Sequence, residues 1–174
     1  PDYDRMTGNL PFVQYSTRSF RDALNNMLYA RNWPSESLSL QELSQLLWAA
    51  YGYTNVTHRT TPSSFGIYPL FVLVSNSTGV YEYFPENHSV METLHGDKRL
   101  DIANACSGQT WAGNAPAIFL TVYNSSYNGG NTGDGGAVSH EFIEINAGAV
   151  TQQLFLEASA WNLSANMVTS SLEQ

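Results

Sequence analysis

Basic residues are the scarcest class in this chain. Seven Lys and Arg stand against fifteen Asp and Glu in 174 residues, which gives a formal net charge of −8, and Lys98 is the only lysine. No basic run is present that could neutralise a phosphate backbone. Nucleic acid is therefore excluded as an expected partner, and the low charged fraction of 13% indicates a surface that is polar but mostly uncharged.

Cysteine is nearly absent as well. Cys106 stands alone, so the chain has no intrachain disulfide, no cysteine zinc cage and no Cys-x-x-Cys pair. The histidines show neither i, i+4 spacing nor a His-Glu-x-x-His arrangement, and we expect no metal site; they are His58, His88, His95 and His140.

Long apolar runs are also missing, so we expect no transmembrane segment, and no signal peptide is present. The chain begins at Pro1 rather than Met, which is compatible with a leader that has been removed. With the scarcity of lysine, the glycosylation sequons favour an extracellular or cell-surface glycoprotein, or a cytoplasmic protein if the chain is a fragment. The sequons are Asn55, Asn76, Asn87, Asn124 and Asn162.

Apolar periodicity predicts alternating helices and strands. Helices are expected from Thr17 or Ser19 to Tyr29, from Ser39 to Gly52, and over 97–115 and 140–162. Strands are expected over 68–76 and 116–124, with a hairpin over 79–94, a glycine-rich loop over 125–136 and a further strand over 164–169. This order predicts one α+β or mixed α/β domain over 1–174, with an N-terminal arm (1–13) and a short tail (170–174).

The segment from Tyr15 to Leu24 concentrates two of the few cations. Arg18 and Arg21 lie three residues apart beside Ser19, where a helix is predicted to begin. Guanidinium groups and hydroxyls at this spacing suit a phosphate or another anion. A capped, solvated helix start accounts for the same residues, and the pattern alone leaves both interpretations open.

Six motifs in order resemble one family. They are S-T-R-S-F-R-D, L-S-L-Q-E-L-S-Q-L-L-W-A-A-Y-G, R-T-T-P-S-S-F-G-I-Y-P-L, G-V-Y-E-Y-F-P-E-N-H-S, G-Q-T-W-A-G-N-A-P-A and A-G-A-V-T-Q-Q-L-F-L-E-A. Over about residues 14–168, the chain resembles the nitroreductase superfamily, in the branch of the azoline (thiazole and oxazole) oxidases. The resemblance implies a three-layer α+β fold, with a mixed or antiparallel central sheet flanked by helices, and a homodimer or larger homo-oligomer that binds FMN.

The resemblance also implies roles for individual residues. Arg18, Ser19 and Arg21 match the segment that holds the flavin phosphate and pyrimidine edge, where cationic forks suit a dianion. The turn that lies against the flavin ring, typically from the partner subunit, corresponds to Pro62, Ser63, Ser64 and Gly66, and an ordinary loop is the other interpretation of Pro62–Ser64. For Gly66 and Tyr68, packing and cofactor contact are equally good interpretations. Gln152 and Gln153 lie where an amide pair is usual, which either contacts the flavin or makes a satisfied hydrogen bond in the core.

Several positions depart from the family pattern. Thr17 replaces a residue that is often basic, and Val138 and Glu141 stand at two matched arginines. Asn146 begins a small, neutral Asn-Ala-Gly-Ala run on the last long helix, where relatives often read Glu-Ala-Gly-His. The usual C-terminal strand, helix and arm do not follow Thr169 in this sequence.

Two functions of different classes follow. One is an FMN-dependent oxidoreductase that transfers a hydride between an organic donor and acceptor; the cofactor carries that chemistry, so no catalytic residue is assigned. The alternative is an exported, flavin-free descendant that serves as a structural, surface-coat or filament subunit, which the low charge, the sequons and the short C-terminus favour. Ligand binding without turnover is a third hypothesis.

Overall fold

The structure is a computed structural model that describes residues 7–63, 66–123 and 140–168. The elements in chain order are β1 (Gly8–Asn9), α1 (Phe20–Asn25), α2 (Leu40–Tyr51), β2 (Leu70–Ser75), β3 (Gly79–Phe84), β4 (Ser89–His95), α3 (Arg99–Ala105), a 3₁₀ helix (Thr110–Asn114), β5 (Ile118–Tyr123) and α4 (His140–Ala160). The α+β class is confirmed.

One antiparallel sheet joins the described strands in the order β1-β4-β3-β2-β5. The β2–β5 ladder runs from Leu70 opposite Tyr123 to Ser75 opposite Ile118. The predicted hairpin is confirmed as β3 and β4, which turn at Pro85–His88, where the His88 amide donates to the Pro85 carbonyl at 3.4 Å. Of the two expected sheet types, the antiparallel one is observed.

The core lies between one face of the sheet and the helices α2 and α4. Alternate β2 side chains, Val72 and Val74, pack there against Leu47 of α2 and Val150 of α4, and each of these four is at most 1% exposed. On the opposite face, Ile102 and other α3 side chains form an apolar groove of about 540 Å³ with the sheet. Helices thus flank the sheet on both sides, as a three-layer fold requires.

Helix α2 begins and ends as its sequence predicts. Ser39 and Glu42 form a capping box, in which the Glu42 amide donates to Ser39 Oγ and the Ser39 amide donates to Glu42 Oε2 at 2.7 Å. Gly52 ends the helix, and a Cβ atom at Gly52 would lie 2.3 Å from the Trp48 ring. The chain can therefore leave the helix closely over Trp48 only with glycine at this position.

The first helix is shorter than predicted. It ends at Asn25, because the Asn26 side chain donates to the Asp22 carbonyl at 2.7 Å and competes with the helix for its own backbone. Tyr29 instead forms a parallel bridge with Ala165. That bridge is also all that the described residues show of the expected strand over 164–169, so both predictions are wrong at this point.

The predicted helix over 97–115 is two helices. Ser107 and Gly108 between them have φ values of 56° and 70°, which reverse the chain after α3. Left-handed backbone favours glycine, which Gly108 supplies. The apolar periodicity over 97–115 did not predict this break. Residues 1–6, 64–65, 124–139 and 169–174 lie outside the described part, which includes the predicted 125–136 loop and the tail. Among the described helices, none has the length and apolar character to cross a membrane.

His88 holds the β3–β4 turn to the N-terminal segment. Its Nε2 lies 2.8 Å from Ser44 Oγ and 3.0 Å from the Pro11 carbonyl, and its Nδ1 lies 2.9 Å from Tyr83 Oη. A carbonyl can only accept, so Nε2 carries the hydrogen and Nδ1 accepts from Tyr83. Burial lowers the pKa of His88 and raises that of the Tyr83 hydroxyl, which keeps both groups neutral in this arrangement.

We expect the free energy of unfolding to fall as the medium is acidified. The His88 pKa is lowered only in the folded protein, so the unfolded chain takes up this proton first as the pH drops below about 6.5. The stability present above that pH is lost progressively until the lowered folded-state pKa is reached. Urea unfolding at about pH 7 and about pH 5 measures the change.

Two variants identify the responsible histidine. His88→Asn should unfold with a smaller pH dependence than the parent, because the titrating group is gone. His95→Asn is the comparison variant, since it removes a histidine side chain that is 74% exposed and lies outside the His88 network. Equal pH dependence in His88→Asn and the parent would contradict the assignment.

Candidate functional site

The predicted anion-binding residues lie at the start of α1. Ser19 is the N-cap: its Oγ accepts the Asp22 amide at 3.1 Å and donates to the Asp22 carboxylate at 2.6 Å. Arg21 is exposed and makes no hydrogen bond or ion pair with any residue that the structure describes. The helix-cap interpretation of Ser19 is thus present in the structure, and the Arg21 guanidinium is available to a ligand.

Arg18 has a partner within the chain. Its Nη1 donates to the Ser159 carbonyl at 2.7 Å and its Nη2 to Asn162 Oδ1 at 3.3 Å. Ser16 Oγ donates to the neighbouring Ala160 carbonyl at 2.9 Å. The last carbonyls of a helix have no partners within the helix and attract cations. Arg18 and Ser16 therefore cap the C-terminal end of α4.

The second predicted segment forms a tight, partly exposed turn. The Gly66 amide donates to the Ser63 carbonyl at 3.2 Å, and Ser63 Oγ donates to the Ile67 carbonyl. Gly66 has a φ of +66° and no atom within 4 Å of the place where a Cβ would stand. Pro62 and Gly66 are exposed, whereas Ser64 lies outside the described residues.

The residues just before this turn are fixed to the end of α2. Thr61 Oγ1 donates to the Ala50 carbonyl at 2.6 Å, Thr60 Oγ1 donates to the Trp48 carbonyl at 3.1 Å, and the Thr60 amide donates to the Gly52 carbonyl at 2.9 Å. Sequence reasoning treated these threonines only as part of a motif. The signal available was their position: polar side chains soon after a helix-ending glycine can turn back to satisfy its last carbonyls.

Arg59 is a further residue that sequence reasoning missed. Its side chain is 11% exposed and its Nη1 donates to the Tyr51 carbonyl at 3.3 Å. Tyr68, one of the two residues with open roles, packs against it, with the guanidinium carbon 4.9 Å from the ring centroid. The Tyr68 ring is thus engaged within the chain.

Helix α4 contacts the Arg18 segment and also Thr60, two residues before Pro62. Gln153 Nε2 donates to the Thr60 carbonyl at 3.1 Å, while the Ser159 carbonyl accepts from Arg18. Six residues of helix separate these two positions, a distance of about 9 Å along the axis. Gln152 is exposed, and its side chain donates to Met27 Sδ at 3.9 Å. Of the amide pair, Gln153 is the one that faces the turn.

A buried polar network lies beside this part of α4. Gln45 is fully buried; its Oε1 accepts the Gln14 amide at 2.7 Å, and its Nε2 donates to the Gln14 carbonyl at 2.6 Å and to Glu157 Oε1 at 3.2 Å. Trp161 Nε1 also donates to Glu157, at 2.8 Å. Burial raises the pKa of the Glu157 carboxyl, against the opposing effect of the Trp161 and Gln45 hydrogen bonds.

The departures from the family pattern have plain structural positions. Glu141 is exposed in the first turn of α4, and Val138 lies outside the described residues. Asn146 is 2% exposed and donates to the Phe142 carbonyl of its own helix at 2.8 Å. Its Oδ1 has no partner among the residues that the structure describes.

Four of the five predicted glycosylation sites lie in turns of the described part of the chain. Asn55 and Asn87 are exposed, and half-buried Asn76 caps the β2–β3 turn by accepting two backbone amides. Asn162 is exposed but accepts from Arg18. Asn124 lies outside the described residues.

In the described ranges no group of His, Cys, Asp or Glu could hold a metal ion. Cys106 is half-buried with a free thiol.

Comparisons with known proteins address the family directly. A model of the nitroreductase family matches residues 30–174. A curated protein of Methanocaldococcus jannaschii that is assigned as a nitroreductase is 30% identical over 167 residues, which cover 92% of this chain and 82% of the relative.

Two solved structures share the fold. A protein from Ralstonia eutropha JMP134 that is assigned as a nitroreductase has a TM-score of 0.76 at 24% identity, covering 91% of this chain and 74% of its own. The microcin synthetase complex of E. coli, solved with a truncated pro-microcin bound, has a TM-score of 0.54 at 17% identity, covering 87% and 62%. None of these comparisons supports the alternative of a structural or surface-coat subunit.

Arg18 and Arg21 form a matched pair for testing the helix cap. Arg18→Ala should lower the free energy of unfolding by about 1–2 kcal/mol, because the end of α4 loses a charge-assisted bond. Arg21→Ala should change it by less than about 0.5 kcal/mol. Urea unfolding of both variants measures the difference, and equal effects would show that the α4 cap does not stabilise the fold.

Proposed function

The chain belongs to the nitroreductase family, and from that premise we propose that it is an FMN-dependent oxidoreductase that transfers a hydride between an organic donor and an organic acceptor. The single observation that supports the proposal is that one half of α4 contacts both the Arg18 segment and Thr60, two residues before Pro62. The Arg18 segment reaches the Ser159 carbonyl, and the Pro62–Ser63 turn is connected through Thr60 to Gln153.

The residues in these segments fit a phosphorylated, flat ligand. Arg21 is exposed with no partner among the described residues, so it can bind a phosphate without breaking an existing bond. Arg18 uses one N–H group on each of two nitrogens, and a guanidinium has five. It can therefore cap α4 and still offer donors to an anion. In a chain of net charge −8, two neighbouring cations are a distinctive local feature.

The turn fits the ring of such a ligand. Gly66 lacks a side chain and has open space where one would stand, so a planar group can approach its backbone closely. Pro62 and Gly66 are exposed beside half-buried Ser63, and Ser64 completes the proposed set. Bound FMN would supply the hydride acceptor and donor; the protein binds its phosphate, orients its ring and limits the access of water.

The donor and acceptor follow from the same reasoning. A nicotinamide or an azoline ring can give a hydride, and a quinone, a nitro-aromatic or oxygen can accept electrons. The resemblance to azoline oxidases favours a heterocyclic ring within a peptide as one donor class, and the fold shared with the microcin synthetase complex is compatible with it.

We also propose that the protein acts as a homodimer through α1 and α4. Phe20 and Leu24 of α1 are 69% and 41% exposed, Leu28 just beyond the helix is 59% exposed, and Ile145 of α4 is 72% exposed. Exposed apolar groups in such number are typical of an interaction surface. A self-complementary interface of this kind closes as a two-fold dimer.

The FMN proposal is tested by flavin titration, followed through flavin fluorescence. The parent protein should bind FMN, and Arg21→Ala should weaken the affinity by roughly tenfold or more because a charge-assisted phosphate contact is lost. Arg31→Ala removes an exposed arginine that stacks on Trp111 and serves as the control.

Parent protein loaded with FMN should then oxidise NADH or NADPH, or a synthetic azoline peptide, with a quinone or oxygen as acceptor. Failure of the parent to bind FMN at all would refute the proposed function. Equal weakening by Arg21→Ala and Arg31→Ala would remove Arg21 from the site.

The dimer is tested by light scattering and sedimentation. Ile145→Glu places a charge in the proposed interface and should convert a dimer into a monomer, since an unpaired charge is costly in an apolar interface. Val56→Glu is the matched control, because Val56 is 95% exposed in the loop that follows α2. A dimer that persists in Ile145→Glu would exclude this surface.

A further inference from the structure

Arg59 lies in a cage of aromatic rings. Its guanidinium carbon is 4.4 Å from the centroid of Tyr51, 4.7 Å from that of Tyr53 and 4.9 Å from that of Tyr68. At these distances a cation is attracted to each ring face. We call Arg59 and these three tyrosines the arginine cage.

The arginine cage also makes directional bonds. Arg59 Nη1 donates to the Tyr51 carbonyl and Nη2 donates to Tyr53 Oη, both at 3.3 Å. Glu86 in the β3–β4 turn supplies a carboxylate 3.5 Å from Nη2. The guanidinium thus connects the end of α2, the segment after it and the hairpin turn.

The positions of Arg59 and Tyr68 along the chain give the cage its significance. Arg59 directly precedes the Thr60–Ser63 segment, and Tyr68 directly follows Gly66 and Ile67. The two are in ring contact, and the Arg59 amide lies 3.4 Å from Tyr68 Oη. Their contact therefore closes the base of the turn that carries Pro62, Ser63 and Gly66.

Burial alone does not account for an arginine here. Arg59 Nε is buried without a hydrogen-bond partner among the described residues, which is unfavourable. An apolar side chain of similar length would fill the cage without leaving an unpaired polar atom. What the guanidinium adds is direction, because its planar fork fixes the backbone at Tyr51 and the hydroxyl of Tyr53 together.

We propose that Arg59 is a positioning residue for the flavin: by closing the base of the Pro62–Ser63 turn, the arginine cage holds that turn in its binding conformation before FMN arrives. This rests on the proposed function, since it concerns the same site. A turn that is ordered in advance binds its ligand more tightly, because less conformational entropy is lost on binding.

The test compares Arg59→Met, Arg59→Lys and Tyr53→Phe with the parent, and Arg31→Met is the matched control. Hydrogen exchange of peptides covering 60–68 is measured without FMN, and FMN affinity is measured by titration. Arg59→Met should raise amide exchange in this segment and the FMN dissociation constant by roughly tenfold or more, with exchange in β2 and β5 unchanged. Arg31→Met should match the parent in both readouts.

Arg59→Lys separates the two contributions of the cage. Lysine keeps a cation among the rings but lacks the fork. Arg59→Lys should therefore restore the parent's melting temperature more fully than it restores the FMN affinity or the protection of the 60–68 amides against exchange. If Arg59→Met does not fold, Arg59→Lys and Tyr53→Phe decide, because Tyr53→Phe removes only the hydroxyl that accepts from Nη2.

Three results would overturn the positioning role. In the first, amide exchange over 60–68 in Arg59→Met equals that of the parent. In the second, exchange rises uniformly through the whole protein. In the third, exchange rises over 60–68 but the FMN affinity is unchanged. A parent protein that binds no FMN would refute the proposed function instead. In that event the exchange measurements would still show whether Arg59 orders the turn.

Discussion

The last carbonyls at the C-terminal end of α2 determine how the chain folds beside the candidate site. A helix leaves its last carbonyls without internal partners, and here Thr61 and Arg59 satisfy those of Ala50 and Tyr51. Thr60 adds a second bond to the Trp48 carbonyl, which also accepts the Gly52 amide. The chain must fold back over the helix end to do so. This return places the Pro62–Ser63 turn immediately beyond the helix, with a guanidinium and three aromatic rings at its base.

Helix α4 supplies the second constraint. Its Val150 face is packed in the core, while its C-terminal half carries polar connections to distant parts of the chain. Arg18 and Ser16 cap its end, Gln153 holds Thr60, and Glu157 joins the Gln45 network. Segments 93 to 144 residues away in sequence are thereby fixed against one rigid element, which is the arrangement a precise binding site needs.

The same side chains serve stability and the proposed site. Arg18 is both the cap of α4 and a candidate phosphate ligand, whereas Arg21, three residues away, has no structural duty among the described residues. This division explains how a chain with few cations can place two of them together without each depending on a ligand for its stability. Family membership rests on the matched sequence, and the solved structures add the fold.

Features that depend on neighbouring residues could be predicted from the amino-acid sequence. Local propensity and periodicity predict the Ser39–Glu42 capping box, the helix end at Gly52, the β3–β4 hairpin and the long helix that begins at His140. The ordered motifs indicate the family. The early end of α1 was not predicted, because the Asn26 side chain competes with the helix for its backbone. The break at Ser107 was not predicted, because left-handed backbone interrupts the apolar pattern there. The partners of Arg18 and Arg59 could not be predicted from the sequence, because they depend on the tertiary fold. Their guanidinium groups bind carbonyls and rings whose positions depend on how α2 and α4 pack, and no local pattern encodes those distances.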